Sequence, residues 1–404
     1  MHSQKESKNW WQKMAKSKNF LAKPEASYYL ILIAITALSS LGLLMVLSAS
    51  AVRSLYETGN SFSIVGRQAF FLILALLLGY LSMKLKAKLW DRIAPLSLMA
   101  SCVVLLLPQL PGFGKTVNGN TNWIVIAGFT IQPSEFAKMG FIIWCASRLW
   151  QHDQRIAQGI KSNIWISLTP GFLLVEALIY KGRDLGTAVV VALIFAGILF
   201  IAGVPIKELS VAGALGGLVV AVLVITHKNR LNRFFALLDP FSVQYYKGAG
   251  WQPAHSLMGL ASGGLFGIGL GASRQKWGTL AEAHTDFIFS VIGEELGLLG
   301  TLAVLLLFAG LILSIFKVAL GASTSFEKYA TAGIGCWFSM QLTLNIGSVV
   351  GLIPVVGVTL PFMSYGGSSL LSVFIAAGFV LGVARRTPNI REAILQRRKL
   401  KLAK

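Results

Sequence analysis

Long apolar runs separated by short polar breaks occupy the chain from about residue 28 to residue 384. Ten of them approach or exceed the roughly 20 residues that carry a helix across a bilayer. They lie near 28–50, 65–83, 91–110, 131–149, 163–180, 185–203, 207–226, 286–316, 326–349 and 360–384. Only the polar break Lys181–Asp184 divides the fifth from the sixth, and the eighth is long enough to begin outside the hydrocarbon. A membrane β-barrel would show short alternating segments instead. The pattern predicts an all-α polytopic membrane protein with about ten transmembrane helices. It leaves a large loop, about 227–285, between spans seven and eight. The domain reading is a basic tail over 1–27, a membrane domain over 28–384 and a second basic tail over 385–404. Met1 is followed by about 25 mostly polar positions, unlike a cleavable signal peptide, so the first span is expected to stay as an anchor.

Composition agrees. The 404 residues are 55% hydrophobic and 13% charged, with a mean hydropathy of +0.68, too apolar for a soluble surface to absorb. The formal charge of +20 does not point to nucleic acid, because most of the excess lies in tails and flanks that can sit on anionic lipid. Lysines before span one, Lys84 to Arg92 after span two and the basic C-terminal tail all fall on one side of a ten-span chain. The excess of positive charge makes that side cytoplasmic. The opposite side receives loops 111–130, 181–184 and 227–285, the last carrying Lys228, Arg230, Arg233, Lys247, Arg274 and Lys276. Those bases suit an anionic ligand or lipid headgroups. Cys102, Cys145 and Cys336 all lie in spans without metal-like spacing and read as packing residues.

Five polar clusters interrupt the apolar pattern. Gln132–Lys138 opens span four, with Pro133 suited to a first turn and Glu135 and Lys138 on one face. They form either an internal ion pair or a polar wall for a charged substrate. Asp184 either caps span six or joins a site, and Arg183 can meet a phosphate. Gly259, Gly263, Gly264, Gly267, Gly269 and Gly271 contain part of a dinucleotide fingerprint without its βαβ setting. Turns or close helix packing are expected there, with Arg274 and Lys276 placed to meet an anion. Four of the 16 acidic residues, Glu282, Asp286, Glu294 and Glu295, stand within fourteen positions at the mouth of span eight. A helix starting near Thr285 puts Asp286 in its first turn, facing water and able to stay ionised. Glu294 then lies roughly 80° around that helix and Glu295 about 180°. Finally, Pro354 and Thr359–Ser369 suggest a broken or bent start to span ten, and Asn345 in span nine needs a partner.

Gln132–Lys138, His284–Glu295 and Pro361–Ser369 together resemble the SEDS family (shape, elongation, division and sporulation proteins), with similarity over roughly 30 to 384. The run Ser290–Gly300 and the long N-terminal tail favour the cell-division branch over the elongation branch. The resemblance implies the SEDS fold and a peptidoglycan glycosyltransferase. Such an enzyme polymerises lipid II into β-1,4 glycan strands at the outer face of the bacterial cytoplasmic membrane, releasing undecaprenyl diphosphate. Both termini are expected to be cytoplasmic, and the protein to work at the division septum. Asp286 matches the family's acid and is expected to take the proton of the acceptor's 4-hydroxyl in one inverting displacement. Lys138, with Arg274 and Lys276, is expected to steady the diphosphate, and Glu135 to orient Lys138. Arg183, Asp184, Ser364 and Ser368 complete the expected substrate-binding set. A divalent cation such as Mg2+ can help the leaving group, although no metal-ligand motif marks a site. The expected partners are a class B penicillin-binding transpeptidase and other divisome proteins. The chain departs from the family pattern at Asn122, at Gly182-Arg183 and at His255; Arg183 is expected to replace a lost loop arginine. A lipid II flippase, a noncatalytic divisome scaffold and an elongation polymerase stand as the alternatives.

Overall fold

A computed structural model describes residues 23–117, 120–126 and 128–402. Most of the expected N-terminal tail and the last two residues lie outside these. Ten longer helices correspond to the ten apolar runs: α1 (Ala26–Thr58), α2 (Ser63–Lys84), α3 (Ala87–Leu106), α4 (Pro133–Ala157), α5 (Ile164–Lys181), α6 (Leu185–Ile201), α7 (Ile206–Ile225), then α11 (Ile288–Leu320), α12 (Ser325–Val349) and α13 (Gly367–Arg386). Between α7 and α11 the loop folds into α8 (Lys228–Leu238), α9 (Val243–Tyr246) and α10 (Trp251–Gly263). The C-terminal tail forms α14 (Pro388–Leu402). Among the described residues, seven helices are long and apolar enough to cross a membrane. The 17-residue α6 is shorter, and α4 and α12 carry more polar and small residues among their buried positions.

Local chemistry sets the boundaries. Pro133 stands at the first position of α4, where a missing N–H costs nothing. Asn163 caps α5 by accepting from the amides of Trp165 and Ile166, and Thr324 caps α12 by accepting from Glu327. Asp184 caps α6, its Oδ1 accepting from the Thr187 amide at 3.0 Å. The 33-residue α1 runs eight residues past its expected end and stops at Gly59, which takes a left-handed φ of 71°.

Three expectations need correction. The loop 111–130, for which the apolar pattern predicted no element, forms an antiparallel sheet of β1 (Gly114–Val117), β2 (Asn120–Ile126) and β3 (Phe129–Ile131). Its Thr, Trp, Ile and Val residues favour extended backbone, so the described residues are helical with one small sheet. Span ten begins at Gly367 rather than near 360, because residues 360–366 turn through a buried non-helical segment in which Phe362 has a φ of 65°. The helix of span eight begins at Ile288, so Asp286 precedes it instead of lying in its first turn.

Alternation of the helices gathers the connections 59–62, 107–132, 182–184, 226–287 and 350–366 at one end of the bundle. The tail helix α14 lies at the other end, packed on α13. Helices α4, α12 and α13 are the most enclosed, whereas α7 buries none of its residues. All five polar clusters therefore meet around the sheet-bearing end.

Candidate active site

Asp286 sits in the turn that leads into α11, and the backbone of that turn over 284–286 is held by α12 and by residues 364–365. Asn345 of α12 donates its Nδ2 to the Asp286 carbonyl at 2.8 Å and to the Val358 carbonyl at 2.7 Å. Ser364 Oγ donates to the Thr285 carbonyl at 2.6 Å, and the Tyr365 amide donates to the His284 carbonyl at 2.9 Å. Asn345 thus finds the partners its place in an apolar helix demands. The Asp286 side chain keeps some contact with solvent, yet the protein around it is dense enough to raise its pKa to about 7. Burial is the main cause; the negative charges of Glu282 and Asp184 add to it, and the Arg233 guanidinium opposes it. The carboxyl therefore does not stay fully ionised, as its sequence position suggested, but titrates near neutrality.

Arg233 comes from α8, a helix with Lys228, Arg230 and Arg233 among its polar residues and exposed Phe234, Phe235 and Leu238. Its Nη1 donates to the Val355 carbonyl at 3.2 Å, in the same segment that brings Gly357 beside Asp286. No local pattern couples Arg233 to Asp286, because 53 positions separate them. The only sequence signal was a base in an outer loop.

The other expected residues divide into two groups. Lys138 is buried, donating to Glu135 Oε1 at 2.8 Å and Gln341 Oε1 at 3.0 Å, with its ammonium 4.9 Å from the Trp337 ring centroid. Gln341 accepts from Trp337 Nε1 and donates to Thr359. Glu135 orients Lys138, and neighbours from α12 complete the ammonium's surroundings. Asp184 Oδ2 accepts from Asn122 at 2.6 Å, Gln132 at 3.0 Å and the Thr187 hydroxyl at 2.8 Å, tying β2 to the start of α6. The departure Asn122 therefore serves as a donor to Asp184. Arg183 is exposed, with φ at 61°. Ser364 Oγ also accepts from the Leu360 amide, and Ser368 Oγ accepts from the Gln132 amide at 3.2 Å, so both hydroxyls brace backbone. His255 is buried beside Trp251 and Tyr246 and bonds the Trp251 carbonyl.

The second group lies around the glycines. Gly297, at φ 68° and ψ −166°, breaks α11. The loop after α10 fills the break: amides of Ile268 and Gly269 donate to the carbonyls of Glu294 and Glu295, while amides of Leu298 and Leu299 donate to those of Gly264 and Leu265. A Cβ on Gly267 would sit 2.1 Å from the Glu295 carbonyl oxygen, so only glycine permits this approach. Glu294 accepts from Ser273 Oγ and from the amides of Arg274 and Gln275; Glu295 accepts from Ser48 Oγ and the Ser273 amide. Both carboxylates clamp residues 273–275 on α11. Arg274 is held by its backbone with an exposed side chain, and Lys276 Nζ lies 3.7 Å from Glu295 Oε1. Neither base is brought to Asp286 by these contacts.

Comparison with known proteins puts this geometry in context. The profile of the family described as "Cell cycle protein", covering FtsW, RodA and SpoVE, matches residues 28–389. The chain is 36% identical over 375 residues to the probable peptidoglycan glycosyltransferase FtsW of Mycobacterium tuberculosis, covering 93% of this chain and 71% of that protein. It is 36% identical over 364 residues to the stage V sporulation protein E of Bacillus subtilis, covering 88% of this chain and 96% of the other. A solved chain from a peptidoglycan synthase complex that coordinates polymerization and crosslinking superposes with a TM-score of 0.73 at 28% identity, covering 89% of this chain and 97% of that one. The rod shape determining protein RodA of Thermus thermophilus gives 0.65 at 27% identity, covering 89% and 96%.

Proposed function

The chain belongs to the FtsW, RodA and SpoVE family of SEDS membrane proteins and is a peptidoglycan glycosyltransferase, and from that premise we propose that it polymerises lipid II with Asp286 as the base. The observation that carries this reading is a carboxyl outside the helix, poised near pH 7, with the Arg233 cation acting on it. A general base works best when its pKa lies near the working pH. In the proposed step the acceptor's 4-hydroxyl oxygen attacks the donor's anomeric carbon. The hydroxyl proton passes to the Asp286 carboxylate. The bond from that carbon to the diphosphate breaks, and its electron pair leaves on undecaprenyl diphosphate. One displacement inverts the anomeric centre and gives the β-1,4 link.

Arg233 is the cation we assign to the developing diphosphate charge. Lys138 and Glu135 act one layer back in this reading, as the ion pair that holds α4 against α12 near the site. Arg274, Lys276, Arg183, Ser364 and Ser368 frame the site instead of meeting the reacting atoms. The described residues gather no group of three or more metal-ligating side chains, so no step here is routed through a divalent cation such as Mg2+. The sheet-bearing end faces outward, the termini face the cytoplasm, and the protein serves septal synthesis beside a class B transpeptidase and other divisome proteins. Its likeness to a chain of a peptidoglycan synthase complex supports a partner of that kind.

Purified protein with lipid II, alone and with the transpeptidase, tests the reading. Wild type should yield glycan strands, and Asp286→Asn should lower the rate by about 10²-fold or more. A variant that still polymerises removes Asp286 as the base. Lipid movement across vesicles without polymer would establish a flippase instead, and normal division supported by Asp286→Asn would establish a scaffold.

A further inference from the structure

A cavity of about 330 Å³ opens beside the segment that carries Asp286. One wall is the overhanging end of α1, with Arg53, Tyr56 and Glu57; the other is the loop from Lys276 to His284. Its volume falls near the lower end of the roughly 300–1,000 Å³ typical of ligand pockets. The cavity is a different place from the Arg233 contact, which is made from α8 to Val355.

Its charges are already matched. Arg53 Nε lies 2.7 Å from Glu57 Oε1, and Arg53 Nη1 lies 3.6 Å from Glu282 Oε1. The ammonium of Lys276 is turned to Glu295 and the Gly271 carbonyl. His284 is buried against Tyr365, and burial lowers its pKa to about 4, leaving it neutral. These pairings leave no surplus cation for a diphosphate, but they provide hydrogen-bonding groups fixed in direction. Two large rings stand at the rim with most of their surface open, Tyr56 at 83% and Trp277 at 67% exposure. Fixed polar groups beside bare aromatic faces suit an uncharged ligand with hydroxyl and amide edges and apolar ring faces.

We propose that this cavity, between the end of α1 and residues 276–284, binds an N-acetylated sugar of the glycan strand and holds it for the chemistry at Asp286. The proposal rests on the polymerase reading and adds to it a strand-binding subsite apart from the diphosphate contact. Glu282 connects the two places: it is paired to Arg53 in the cavity wall and its charge is felt at Asp286. A sugar seated against Arg53 and Trp277 would keep the strand at the site between additions. The exposed rings would otherwise serve only as an interfacial anchor in the membrane.

The test separates these roles. The full-length protein in lipid nanodiscs is irradiated with a peptide-free, lipid-free N-acetylglucosamine oligosaccharide carrying a diazirine, and the adducts are mapped. Adducts should fall on residues 53–57 and 276–284, persist in Asp286→Asn and drop about fivefold in Trp277→Ala. Trp277 is exposed, so its truncation leaves the fold intact; Arg53→Gln gives a second variant from the opposite wall and should show the same loss. With lipid II as substrate, Trp277→Ala should shorten the strands. Adducts elsewhere, or adducts unchanged in both variants, overturn the proposal and leave Tyr56 and Trp277 as anchors. Competition by a stem peptide but not by the sugar also overturns it. The labelling needs no turnover, so its failure is distinct from loss of polymerisation in Asp286→Asn.

Discussion

In the proposed step a carboxyl that titrates near neutrality would act as a gate as well as a base, since only its ionised form accepts a proton. Polymerisation should therefore rise with pH through about 7 and level off above it. Burial sets most of the midpoint, and the charged neighbours adjust it. Arg233→Gln removes the cation that holds the pKa down, so the midpoint should move up; Glu282→Gln removes an anion that pushes it up, so the midpoint should move down. Rate–pH profiles of the three proteins check both signs, and two unmoved midpoints would refute this electrostatic account. Lys138 is judged differently, because its ammonium and Glu135 are enclosed together. Lys138→Met alone strands a buried carboxylate and should cost about 3–5 kcal/mol of stability, whereas Glu135→Gln with Lys138→Met should recover most of it. Thermal unfolding in detergent decides this. A recovered fold without recovered polymerisation would give the Glu135–Lys138 pair a part in catalysis beyond holding the fold. Asp286 and the Glu135–Lys138 pair were legible in the sequence because charge in an apolar run stands out. Arg233 was not, since Arg274 and Lys276 lie closer along the chain and only tertiary folding brings α8 to residue 355.

The helices were legible because apolar length is a property of consecutive residues. Their ends were less so. The expected end of α1 followed the last strongly apolar stretch, but helix propagation continues through Arg53, Tyr56 and Glu57 until Gly59 stops it. The sheet at 114–131 was invisible as structure because its register depends on docking: the Thr121 amide donates to the Gly182 carbonyl, and Asn122 reaches Asp184. The glycine-rich loop was legible as a place of close packing, but its partner was not. The break at Gly297 exposes backbone groups that the loop satisfies, and neither piece explains the other alone. Gly267→Ala should separate them, because it forces a side chain onto the Glu295 carbonyl at a φ of 81°. The expected loss is on the order of 3 kcal/mol. Faster amide exchange across 264–276 would locate it; unchanged exchange would show that the loop is held by Glu294 and Glu295 alone.

At the scale of the whole molecule, the two ends of the bundle differ in what they carry. The sheet, α8–α10 and Asp286 share one end, and α14 occupies the other. Val243, 97% exposed, and Leu395, 47% exposed, mark them. In whole cells Val243→Cys should react with a membrane-impermeant maleimide, and Leu395→Cys only after permeabilisation; the reverse pattern would invert the proposed orientation. Cys145 and Cys336 are buried and Cys102 partly so, which keeps the background low. The length of α1 carries a last consequence. Its 33 residues at about 1.5 Å each span about 50 Å, well beyond a hydrocarbon core of about 30 Å. The Arg53–Glu282 pair, 3.6 Å apart, marks where the segment leading to Asp286 lies beside the last turns of that helix. In the proposed orientation, an excess of helix length on the outer side would hold the proposed base at the height of the headgroups. In the proposed reaction a substrate anchored by its tail would meet it by diffusing in a plane, so the quantity that governs encounter would be molecules per area of membrane. On that reading the growing polymer would leave that plane while its anchor stayed within it.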